Sequence, residues 1–138
     1  MHYGEIISLI VLVFGAVLGT TALISPSWAS GIVRLVADPD LEKPGGYSEF
    51  RATFGGLLMF SHLMTAALLL TVSRSDVNLL SVLVVLPMAA AWMGSGFGRT
   101  VSLVLDRQQN RANGMNPVWI VMEFFVGLAI AAPILQFL

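Results

Sequence analysis

The sequence predicts an all-α integral membrane protein, a four-helix bundle with a short interfacial helix between helices one and two. Three observations predict it. Four apolar runs, 6–24, 52–72, 77–105 and 118–138, reach the length of about 20 residues that carries a helix across a bilayer core. Charged residues make up 11% of 138, against roughly a quarter in soluble domains. Hydrophobic residues make up 57% and the mean hydropathy is +0.85, more apolar surface than a soluble chain of this size can cover. One domain, 1–138, with helices at about 6–24, 50–72, 77–105 and 118–138, accounts for all of it.

The composition also excludes chemistry. The chain has no cysteine, which removes disulfides, thiol catalysis and cysteine-ligated metals. His2 and His62 are its two histidines and no metal motif surrounds either, so neither a metal nor a cofactor is expected. A net charge of −1 offers no basic field to nucleic acid.

The first run, IISLIVLVFGAVLGTTALI, follows MHYGE, which has no Lys or Arg. The run also exceeds the apolar core of a signal peptide, so a retained helix is expected. Residues 25–50 form the one long connection. Its stretch WASGIVRLV reads as a short helix along the membrane interface, anchored by Trp28. ADPDLEKPGG then supplies turn formers, and Ser48 is the expected N-cap of the second helix. SRSD (73–76) is short enough to make helices two and three an antiparallel hairpin, with Ser75 or Asp76 as the next cap.

The third run has 29 residues, roughly 43 Å as straight helix against a core of about 30 Å. Pro87 and the glycines of GSGFG (94–98) offer places to kink or tilt. Gly94 and Gly98 form a small-xxx-small pair that suits close helix packing. In the loop 106–117, Asn116 is the expected cap and Pro117 the first helical residue of the fourth helix. Arg34, Lys43, Arg107 and Arg111 fall on one side of the four crossings and Arg74 on the other. The positive-inside rule then puts both termini on the extracytoplasmic side.

Polar residues interrupt these runs at related depths. Arg51 starts the second helix, Arg99 precedes Asp106 by seven residues at the end of the third, and Glu123 lies five residues beyond Val118 in the fourth. At about 1.5 Å per residue, these positions lie within roughly 10 Å of one interface. Arg99, Ser102 and Asp106 share a helix face at i, i+3 and i+7. Glu123 is deep enough to require a partner or a proton, and Asp106 at a helix C-terminus calls for a cation such as Arg99 or Arg107. Glu49 suits the positive end of the second helix. His62 lies about 16 Å deeper than Arg51, where Ser8, Thr20, Thr21 and Thr65 are possible hydrogen-bond partners. Structural ion pairing and a functional site both fit the cluster.

Glu49, Arg51, Gly55 and Gly56, then Gly98, Arg99, Ser102 and Asp106, then Glu123, form a pattern that resembles a bacterial family of small four-helix membrane proteins. That family has no assigned function and is distantly similar to DoxX-like proteins. Arg107 departs from its pattern, in which a small residue follows the aspartate. The resemblance implies a multi-pass protein of the bacterial inner membrane with a shared polar layer, and it brings no activity.

Two functions follow as expectations. In the first, the bundle binds a lipophilic molecule with a polar head (a quinone, an isoprenoid or a sterol-like lipid) or serves as accessory subunit of a membrane complex. Its partners are then the lipid bilayer, that small molecule, and another membrane protein or a second copy. Arg51 and Arg99 grip the polar head. In the second, the protein is a membrane-embedded isomerase, cyclase or hydratase with Glu123 as general acid and Asp106 as base.

Overall fold

The computed structural model describes residues 1–33, 47–75, 78–106 and 116–138. Among them the chain is all-helical. Helix α1 spans Tyr3–Ile24, α2 Pro26–Val33, α3 Ser48–Val72, α4 Asn78–Leu105 and α5 Asn116–Ile130, and a 3₁₀ segment follows at Ala132–Phe137. Helices α1, α3 and α4 are long and apolar enough to cross a membrane. Helix α5, at 15 residues, is shorter.

Local chemistry sets these boundaries. Helix α1 starts earlier than the apolar run because Glu5 reaches back to accept the His2 backbone N–H at 2.9 Å. That contact is the acidic half of a capping box, with His2 in the N-cap position. Helix α2 opens with Pro26 in its first turn, where a missing N–H costs nothing, and the Ser25 carbonyl accepts from Ala29 at 3.1 Å. A short helix is therefore present, starting two residues before the predicted stretch, whose last residues, 34–36, lie outside the described residues.

Helix α3 corrects two expectations. Ser48 is its first residue rather than its cap; Tyr47 holds the cap position and makes no side-chain cap bond. Residues Arg51–Leu57 are wound as a π-helix, in which the Leu58 N–H reaches the Thr53 carbonyl five residues back. The α-helical register resumes at Leu58. The expected cap residue Asp76 lies outside the described residues, and the Ser75 hydroxyl donates back to the Val72 carbonyl.

The expected fourth helix of 118–138 is also corrected. Helix α5 stops at Ile130, and the chain tightens into the 3₁₀ segment. Pro133 is the cause: it cannot donate to the Ala129 carbonyl, and its ring disfavours α geometry at Ala132. At about 1.5 Å per residue for α5 and about 2 Å for the 3₁₀ turns, the two together approach 35 Å. Helix α4, by contrast, runs uninterrupted through Pro87.

The contacts group into two compact units, residues 1–11 with 65–138 and residues 12–64. In the first, α4 packs along α5, and α5 comes close because Gly127 has no side chain. A Cβ there would lie 2.5 Å from Met93 Cγ and 3.0 Å from the Ala89 carbonyl oxygen. Gly96 faces Phe124 in the same way, at 3.0 Å. The packing glycines are thus Gly96 and Gly127. The sequence pointed to Gly94 and Gly98, yet a Cβ on either meets nothing within 4 Å.

In the second unit, Ala22, Ala29 and Phe50 form a small core with Val33 and Phe54 against it. The Phe50 and Phe54 rings stack with centroids 4.9 Å apart. Gly15 meets the His62 ring and Gly19 meets the Met59 backbone, so α1 and α3 touch where α1 lacks side chains.

Candidate functional site

The chemistry concentrates on Glu123. This residue is 3% exposed on α5, and its carboxyl faces α4. Arg99 Nε donates to Glu123 Oε1 at 2.7 Å, and the Ser95 hydroxyl donates to the same oxygen at 2.8 Å. Ser95 and Arg99 are four residues apart, so one turn of α4 presents both donors on one face. Glu123 Oε2 is buried and has no hydrogen-bond partner.

The pair is asymmetric. The Glu123 side chain is 5% exposed, whereas that of Arg99 is 28% exposed. The Nε edge of the guanidinium therefore serves the carboxylate, while the charged group as a whole still reaches the surface. Beside it, Gly94 and Gly98 form the adjoining row of α4, with open space where their side chains would be. Ser95 itself is exposed. A buried acceptor, a partly exposed cation and a bare strip of helix thus share one edge of α4.

Asp106 is exposed at the end of α4, roughly 10 Å along the helix from Arg99, and its backbone N–H bonds to Ser102. Arg99 is committed to Glu123 rather than to Asp106, and Arg107 lies outside the described residues. Ser102 is half-buried on the same helix. In the other unit, Arg51 Nη1 donates to the Leu23 carbonyl near the C-terminus of α1. That carbonyl is among the last four of a helix, which have no intrahelical donor, and a cation also suits the negative end of the helix dipole. Gly55 completes the clasp: a Cβ on it would stand 2.6 Å from Leu23 Cγ. The π-helical winding places Arg51 and Gly55 on the same residue of α1. Glu49 is exposed in the first turn of α3.

Arg51→Ala is expected to lower stability by about 1 kcal/mol through loss of this cap. Thermal unfolding in detergent measures it, and an unchanged midpoint would assign Leu23 another donor.

His62 is fully buried, and its Nδ1 donates to the Leu58 carbonyl at 2.7 Å, which fixes the proton on that nitrogen. This bond lies within its own helix. Thr20 and Thr21, proposed as partners from sequence, instead donate to the Ala16 and Val17 carbonyls of α1. No cluster of three or more metal-binding side chains occurs among the described residues.

Ser95 is a member of this site that the sequence expectations lacked, although it precedes Arg99 by one turn of the same helix. No family model, curated protein or solved structure matches this chain.

Proposed function

We propose that the protein is a multi-pass protein of the bacterial inner membrane, with both termini extracytoplasmic, that binds a lipophilic molecule by its polar head at Glu123, Arg99 and Ser95. Support for the membrane comes from its surface. Ile10, Val17, Leu57, Phe60, Met64, Phe97, Val104, Val121, Phe125 and Leu128 are exposed along the helices, where acyl chains rather than water would cover them.

The observation that carries the ligand is Glu123 Oε2. A buried oxygen without a donor costs about 1–3 kcal/mol, more if charged, so a hydroxyl or N–H arriving there gains that amount. The neighbouring guanidinium favours an acceptor. A head that both donates and accepts, as in a hydroxylated ring or a quinol–quinone pair, meets both demands, and an isoprenoid or sterol-like tail would lie along the bare α4 strip. An accessory-subunit role uses the same strip for another helix. The second reading, a membrane isomerase, cyclase or hydratase, takes Glu123 as the acid or base, since it is the buried carboxyl beside a cation.

Extraction of the full-length protein from its own membrane, followed by native mass spectrometry, tests the binding. A lipophilic adduct is expected on the parent and not on Glu123→Gln, whose amide replaces the acceptor by a donor. Gly98→Leu is expected to keep the parent's thermal stability and lose the adduct, because its side chain would cover the strip beside Arg99. An adduct retained by both variants would overturn the site. An adduct that Glu123→Gln retains but no longer converts to product would identify the enzyme.

A further inference from the structure

Glu5 is a second buried carboxyl, unrelated to the site on Glu123. It is 2% exposed. Its Oε2 accepts the His2 N–H at 2.9 Å and its Oε1 accepts the hydroxyl of Ser81, itself buried on α4. Both donors are neutral, and among the described residues no cation forms an ion pair with Glu5.

Further oxygens lie one helical turn from Glu5 and beside the first turn of α4. Ser8 lies one turn beyond Glu5 on the same face of α1, is completely buried, and its Oγ has no hydrogen-bond partner. Gln136 Nε2 donates at 3.1 Å to the Asn78 carbonyl, one turn before Ser81 on α4. A carbonyl can only accept, so this bond fixes which end of the amide is oxygen. That oxygen, Gln136 Oε1, is buried and has no partner either. Gly4 packs on the Ala132 carbonyl, which holds the first turn of α1 against the 3₁₀ segment that carries Gln136. Of the three buried side-chain atoms left without a partner among the described residues, two are here.

We propose that Glu5, Ser8, Ser81 and Gln136 form a binding site for an alkali cation. The donor set is all oxygen, as hard cations require. The Ser81 hydroxyl gives its proton to Glu5 and keeps its lone pairs for the ion. A single carboxylate balances a single charge; a divalent ion would need further acids, and no group of three or more His, Asp or Glu side chains placed to hold a metal ion occurs among the described residues. A proton alone would neutralise Glu5 but leave the Ser8 and Gln136 oxygens unmatched. The capping bond to His2 is compatible with the ion, because Glu5 retains lone pairs on both oxygens.

The test uses the full chain in detergent, with NaCl or KCl exchanged for choline chloride at constant ionic strength. The unfolding midpoint is expected to rise saturably with Na⁺ or K⁺, by several degrees at about 100 Kd. Carbodiimide labelling of Glu5, mapped by peptide mass spectrometry, is expected to slow in the same concentration range while labelling of Glu123 does not. Glu5→Gln is expected to lose the response. Should that variant fail to fold, Ser8→Ala and Gln136→Leu keep the carboxylate and the cap, and each is expected to weaken the cation response by about tenfold. Equal midpoints in alkali and choline salts, a response to pH alone, or an unaltered response in Ser8→Ala and Gln136→Leu would each overturn the proposal.

Discussion

Arg99→Ala is expected to lower the unfolding free energy by about 3 kcal/mol, the lower end of the range for removing one partner from a buried pair. The lower end applies because the Arg99 side chain is 28% exposed, so part of its interaction is screened. The loss arises at Glu123, which is left 3% exposed with only the Ser95 hydroxyl as donor. Replacing both partners by apolar residues, as in Arg99→Met with Glu123→Leu, is expected to recover most of the stability, because no buried charge then remains. Thermal unfolding in detergent for the two single variants and the double variant checks this. A single variant as stable as the parent would show that the pair contributes nothing to the fold.

The second large effect has opposite signs at two sets of glycines. Gly19→Ala is expected to cost about 1–3 kcal/mol, because its Cβ would fall on the Met59 backbone, which cannot rotate away. Gly19→Leu is expected to prevent α1 and α3 from meeting at all. Gly94→Ala and Gly98→Ala should be neutral or stabilise by roughly 0.5–1 kcal/mol, since alanine is the better helix former and space is open. Unfolding midpoints of the three alanine variants decide it. Destabilisation at Gly98 equal to that at Gly19 would mean that another helix rests on the α4 strip.

Sequence and structure agree where an argument is local. The extents of α1, α3 and α4 follow long runs of apolar residues, and Glu123 was recognisable as a carboxyl that needs a partner. They part where a contact depends on a partner helix. Gly94 and Gly98 fit a packing motif, yet α5 approaches through Gly96 and Gly127, because spacing on one helix does not say which face its neighbour takes. Arg99 had two acids within reach of the argument, Asp106 on its own helix and Glu123 on another, and it pairs with Glu123.

Composition and hydrophobic run length by themselves determined that this chain forms long apolar helices, three of them long and apolar enough to cross a membrane. Tertiary structure alone decided that Glu5 is buried, that Arg51 caps α1, that α3 passes through a π turn, and that Glu123 keeps one oxygen without a donor. The reason is physical: hydropathy accumulates along a chain, whereas a hydrogen bond is settled by the approach of two elements that the chain brings together from a distance.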